Sequence, residues 1–257
     1  MSNLLPNIVF DLDGTLVDSA PSLCKAANHL LRCLGRKSVS VERYKTFIGR
    51  GMYKQVEQLL EFTGGVPTDG VDACLKTFRE FYDKNSLIST KCYPGVELAL
   101  HELKEASLKL AICTQKAEKP AIRVLKGLNL LQFFEGFAFG DSLAVLKPDS
   151  RMVLHATKNL PKAPLIYVGD SEVDAQTAIN CKATFLLFSE GYRKSPISQI
   201  KPHRGSPKWT QEKDADTALS QKLQKARAPE IPHQMQETRI FCSTTSNSYY
   251  RQLDRSR

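Results

Sequence analysis

Asn7-Ile8-Val9-Phe10-Asp11-Leu12-Asp13-Gly14-Thr15-Leu16-Val17-Asp18-Ser19 is an apolar run that stops abruptly at two carboxylates. Ile8-Val9-Phe10 is β-branched and aromatic with no polar alternation, the pattern of a strand covered on both faces in a parallel sheet. Ligands gather at the carboxyl ends of such strands. Asp11 and Asp13 have the side-chain spacing of one extended face, and Gly14 permits a tight turn that brings backbone amides close to a bound group. Two acids placed so close repel each other unless a cation or a shared proton intervenes. The pair therefore calls for a hard divalent metal, and magnesium suits an all-oxygen site. Taken alone, Asp-X-Asp-Gly reads equally well as a strand end followed by an Asp-Gly turn, so the rest of the chain has to decide.

With 257 residues and 42% hydrophobic content, the chain can bury a sizeable core in one large or two modest domains. Seven cysteines, at 24, 33, 74, 92, 113, 181 and 242, include no Cys-X-X-Cys pair. They fit neither a disulfide framework nor a zinc site, and a reducing cytoplasm is the expected setting. Met1 to Pro6 lacks the basic region and apolar core of a signal peptide, and no apolar run approaches the roughly 18 residues of a membrane span. No membrane partner is expected.

The net charge of +9 is unevenly spread: from Lys201 onward, 11 Lys and Arg stand against 6 Asp and Glu, leaving +5 there and +4 in the first 200 residues. The body is mildly basic, as suits an enzyme of small anionic substrates. Charge without aromatic interleaving or a motif gives no reason to expect a nucleic-acid partner. Nothing in the sequence sets an oligomeric state.

After the opening strand, Pro21 begins a helix with Leu23, Ala26, Ala27, Leu30, Leu31 and Leu34 on one stripe. Further helical stretches carry Tyr44, Phe47 and Ile48, then Val56, Leu59 and Leu60. A fourth, which Thr68 or Asp69 can cap, carries Val71, Cys74, Leu75, Phe78, Phe81 and Tyr82. Residues 17 to 88 thus read as all helical, an insertion unlike a simple alternating chain, which would return to the sheet within a few residues. We read it as a cap whose apolar stripes form its own core. Arg50, between Gly49 and Gly51, sits on a basic, hinge-like turn able to reach a substrate when the cap closes, and a solvated surface arginine is the alternative.

Tyr93-Pro94-Gly95 restarts the alternation: helix, strand 108–113, helix, strand 137–139, helix, strand 165–168, helix, strand 183–188. The fold class is α/β, a doubly wound parallel sheet. Residues 1–16 and 89–200 form the core, 17–88 the helical cap, and 201–257 an atypical polar tail, expected to be largely disordered beyond about Pro229.

Three more strand ends carry residues suited to phosphate chemistry. Thr114 offers a hydroxyl donor and precedes a helix whose amides can face an anion. Lys147, before Pro148, supplies a cation. Gly169-Asp170-Ser171-Glu172-Val173-Asp174 places Asp170 where it can reach a metal and Asp174 where it can brace the loop. Each also has a plainer reading, as a cap, a loop lysine or an acid at a helix start.

Together, in order and spacing, the double-Asp string, the Thr, the Lys and the Gly-Asp-acid string resemble the four motifs of the haloacid dehalogenase superfamily, with a Rossmann-like core. The position of the helical insertion resembles its C1-capped subclass. Gly49-Arg50-Gly51, Tyr93-Pro94-Gly95-Val96, Thr114-Gln115-Lys116 and Gly191-Tyr192-Arg193 look like bacterial phosphoglycolate phosphatases. This resemblance, over residues 6 to 200, implies a magnesium-dependent hydrolysis of a phosphomonoester in which Asp11 is the nucleophile and Asp13 the acid and base. The Asp11 carboxylate, the Asp13 carbonyl and Asp170 would hold the metal, and Thr114, Gln115 and Lys147 would meet the substrate. A sugar-phosphate phosphatase, a phosphomutase and a silent phosphate-binding protein are the alternatives. Gln115 stands where these phosphatases commonly have Asn, and Lys147-Pro148-Asp149-Ser150 lacks the second proline usual after the lysine. From Lys201-Pro202-His203-Arg204-Gly205 onward, 57 residues resemble nothing in the family, being either a genuine extension or the product of a shifted reading frame.

Overall fold

The computed structural model describes residues 5–200 and the pair Ile240–Phe241. Its centre is β1 (Asn7–Phe10), flanked by β4 (Lys109–Cys113) and β6 (Leu165–Gly169), with β5 (Gly136–Ala138) outside β4 and β7 (Thr184–Phe188) outside β6. These five strands are parallel. The chain runs outward from β1 on one side and then returns to build the other, so β1 lies at the point where the strand order reverses, where ligand crevices form.

The apolar run of β1 is covered on both faces, as its lack of alternation requires. Ile8 and Phe10 pack into one layer with Val96, Leu100, Leu110 and Ile112. Val9 faces the opposite layer with Ala111, Met152, Val153, Tyr167 and Ala178. The first layer is completed by α5 (Val96–Glu105) and α6 (Glu118–Gly127), the second by α7 (Ser150–Thr157) and α8 (Glu172–Asn180). Burying one such Leu, Ile or Phe side chain contributes about 1.5–3 kcal/mol, so β1 anchors both layers.

Four helices, α1 (Ala20–Cys33), α2 (Val41–Lys45), α3 (Gly51–Phe62) and α4 (Gly70–Asn85), make the helical cap, with a separate core of Leu23, Leu30, Tyr44, Leu59, Phe78 and Tyr82 among others. The stripes read from the sequence face this core, with Leu34, Val71 and Phe81 only partly buried. Two details differ. Val17–Asp18 is a strand, β2, paired antiparallel with β3 (Lys91–Cys92), so the insertion is entered and left through a two-stranded ribbon and not directly through helix. Asp69 precedes α4 but its side chain makes no capping bond, because the chain turns into the helix at Gly70 with φ +80°.

Past β7, Glu172 Oε1 accepts from the backbone N–H groups of Lys194 (2.9 Å) and Ser195 (2.5 Å) and ties the closing loop to the start of α8. Ile240–Phe241 adds a short antiparallel strand, β8, at the β7 edge. The rest of the tail read as largely disordered lies outside the described residues. Among the described residues no helix is long and apolar enough to cross a membrane, and the six described cysteines are unpaired.

Candidate active site

Sheet register sets the site. Phe10 pairs with both Ile112 and Val168, so the residues that follow in each strand leave the sheet at one edge. Asp11, Thr114 and Asp170 meet there, and Lys147 arrives from the loop before α7. They line a cleft of about 540 Å³ between this edge and the cap, together with Asp13, Gln115 and Arg50. Of the residues singled out in the sequence only Asp174 stands outside the lining. It sits behind the cleft and braces it.

Lys147 Nζ donates to Asp11 Oδ1 (2.8 Å) and Asp174 Oδ1 (2.7 Å). Asp174 is otherwise fully engaged. Tyr167 Oη donates to its Oδ1, while Asp170 N, Ser171 N and Ser171 Oγ converge on its Oδ2. Ser171 and Asp174 form a capping box at the start of α8, which fixes the loop that carries Asp170. Asp170 in turn accepts from Thr15 Oγ1 (3.2 Å) and from the backbone N–H of Tyr192. A Cβ at Gly14 would meet Asp170 Oδ2 at 2.6 Å and one at Gly191 would meet Asp170 Cβ at 2.2 Å, so both positions must lack a side chain for the two loops to close on this carboxylate.

Burial raises Asp11 to about 7, with the Lys147 ammonium pulling the other way and the charge of Asp174 adding to the rise. Burial also raises Asp170 well above the carboxylate range, with Asp174 and Asp11 reinforcing it. For Lys147 burial alone would lower the ammonium, but Asp11 and Asp174 outweigh it and hold it above its ordinary value.

Asp11, Asp170 and Asp174 bring carboxylate oxygens within 4.8 Å of one another. Counting Asp13, four carboxylates face two ammonium groups, those of Lys147 and Lys116. With all four ionised, two negative charges would be left over among largely buried groups, and the donors are all oxygen. These residues fit a hard divalent cation. Because Asp174 spends its oxygens on Lys147, Tyr167 and the α8 loop, Asp11 and Asp170 are the carboxylates better placed to face one.

Thr114 is buried, and its Oγ1 accepts from the backbone N–H of Lys116 (3.2 Å), which leaves its own O–H to donate into the cleft. Gln115 Nε2 donates to the carbonyl of Gly49 (2.7 Å), so one amide N–H of this expected substrate residue is committed to the cap turn that presents Arg50. Arg50 itself is exposed at the cleft mouth, as is Arg79 on α4.

Two residues at the site stood in family-like strings of the sequence but were given no role there. Lys116 Nζ contacts both carboxylate oxygens of Asp13 (3.0 and 3.1 Å) and Tyr82 Oη (2.7 Å). Burial would lower this ammonium, but Asp13 and Tyr82 outweigh it and hold it above its ordinary value. The Tyr192 hydroxyl donates to Asp18 Oδ1 (2.6 Å) and accepts from the backbone N–H groups of Ser19 and Ala20, joining the Asp170 loop to the start of the cap.

A doubly wound sheet carrying these carboxylates at its edge, with a helical cap above them, defines a class of hydrolase. The model for haloacid dehalogenase-like hydrolases matches residues 8–188, and the chain belongs to that family. Among curated relatives it is similar to a phosphoglycolate phosphatase of Rhodobacter capsulatus, 38% identical over 201 residues that span 78% of this chain and 91% of the relative. A phosphoglycolate phosphatase of Nitrosospira multiformis is 36% identical over 73% of this chain and 84% of its own. A crystal structure from Haemophilus somnus, described as a "predicted phosphoglycolate phosphatase", superposes with a TM-score of 0.72 at 27% identity, covering 77% of this chain and 92% of that one.

Proposed function

We propose that the protein is a magnesium-dependent phosphatase that hydrolyses 2-phosphoglycolate to glycolate and phosphate through an aspartyl-phosphate. The observation that carries this reading is the buried Asp11 carboxylate, which has one oxygen held by Lys147 and the other without a hydrogen-bond partner among the described residues, at the edge where Thr114 and Asp170 also emerge. The similarity to phosphoglycolate phosphatases supports the choice of substrate.

In the first step the free Asp11 oxygen attacks phosphorus, the bond from phosphorus to the substrate oxygen breaks, and Asp13 gives that oxygen its proton. In the second a water oxygen attacks phosphorus, the Asp11–phosphate bond breaks, and Asp13 takes the proton of the water. Lys147 and the Thr114 hydroxyl hold phosphate oxygens, and Lys147 has one N–H left for this after Asp11 and Asp174. Magnesium on Asp11, the Asp13 carbonyl and Asp170 would offset the charge of phosphate and nucleophile together. Arg50 and Arg79 at the mouth suit a second anionic group on a small substrate. A reducing cytoplasm suits the unpaired cysteines.

Steady-state phosphate release tests the proposal. Wild type with magnesium should turn over phosphoglycolate, and Asp11→Asn or saturating chelator should abolish this, a loss of about 10⁴-fold or more for a missing nucleophile. Activity that survives either removes the mechanism. Faster turnover of a hexose phosphate, or transfer of phosphate between hydroxyls in place of release, removes the substrate assignment.

A further inference from the structure

The Lys116 ammonium has three N–H donors and meets three acceptors, the two oxygens of Asp13 and the hydroxyl of Tyr82. It has none left for a phosphate oxygen, in contrast to Lys147. Lys116 belongs to the loop after β4, whereas Tyr82 belongs to α4. The Tyr82 ring is fully buried in the cap, in a row with Phe78 (6.2 Å between centroids) and, beyond it, Tyr44 (6.5 Å), so its hydroxyl is placed by the cap's own packing. Whatever moves the cap off the sheet edge carries that hydroxyl away from Lys116. The ammonium also lies 4.8 Å from the centroid of the Tyr82 ring, a second contact with the same cap residue.

We propose that Lys116 is a positioning residue for the Asp13 carboxyl and that Tyr82 makes this placement conditional on a seated cap. The acid and base group is then held in register only when the cleft is closed and bulk water excluded. This inference rests on the phosphatase reading, and its test keeps the two apart.

The readout is the split between two leaving groups. An alkyl oxygen leaves with a proton from Asp13, whereas the phenolate of p-nitrophenyl phosphate leaves without one. A displaced Asp13 therefore harms kcat/KM for the alkyl ester selectively. Lys116→Met should lower kcat/KM for phosphoglycolate by about 10- to 100-fold, part of the 10²–10⁴ that general acid–base catalysis contributes, and that for p-nitrophenyl phosphate by less than about threefold. Tyr82→Phe keeps the ring and its packing but removes the hydroxyl, and should show the same split at about three- to tenfold.

Equal losses on the two esters, or none, would overturn the inference while leaving the phosphatase reading intact. A rise in KM alone, with kcat unchanged for both, would make Lys116 a substrate contact and overturn it too. Should Lys116→Met fail to fold, the Tyr82→Phe split decides alone. A wild-type protein that hydrolyses neither ester with magnesium overturns the phosphatase reading itself, and the positioning role with it.

Discussion

Lys147 is the residue on which the most charge depends, since its ammonium alone separates the buried carboxylates of Asp11 and Asp174. Replacing it by Met keeps much of the volume but leaves both acids without their cation. Removing one partner of a buried ion pair typically costs about 3–5 kcal/mol, so the urea midpoint of Lys147→Met at neutral pH should fall accordingly. The gap to wild type should narrow on acidification, because the orphaned carboxylates then take up protons. A loss that is the same at all pH would mean that packing, not charge, is what Lys147 supplies. At this scale the sequence was legible where a residue's place in the cleft follows from its strand end, as for Asp11 and Asp170. Lys116 was not, because a lysine two residues past Thr114 looks like any loop lysine until α4 folds over it and buries it.

Among the elements, β4 and the turn into β5 share one acid. Glu135 accepts from Leu110 N (3.1 Å), from Lys109 Nζ (3.4 Å) and from Lys104 Nζ on α5. Burial alone would raise this carboxyl, but the bonds from Lys104 and Leu110 N outweigh it and hold it below its ordinary value. The stability that it contributes is present above the unfolded-state value and is lost as pH falls through the lower folded-state value. Glu135→Gln should therefore be less stable than wild type at pH 7, by no more than about 1 kcal/mol for so exposed a group, and indistinguishable from it in acid. Chemical denaturation at the two pH values checks this. The longer elements were readable from their periods, 3.6 in α1 and α4 and unbroken apolar runs in β1 and β6. The ribbon of β2 and β3 was not, because two residues carry no period and the pairing joins positions more than seventy residues apart.

For the whole molecule, a cation that binds only the folded site must raise stability by mass action. With magnesium at a hundred times its dissociation constant the gain is about 2.7 kcal/mol, read as a rise in Tm that excess chelator reverses. Asp170→Asn should lose most of that rise, whereas a rise that persists in this variant would place the cation elsewhere. The cap is tied to the core by the two-residue pairs of the ribbon, by the Tyr192 hydroxyl on Asp18, Ser19 and Ala20, and by the bonds of Gln115 to Gly49 and of Lys116 to Tyr82. The ribbon is the covalent joint at which one cap could be exchanged for another. A chimera carrying the cap of another hydrolase on this sheet would have to retain Asp18 for Tyr192 to grip, since the same Tyr192 holds Asp170 through its backbone N–H. A graft chosen only for its fit to the cleft, and lacking that acid, would slacken the hold of Tyr192 on Asp170.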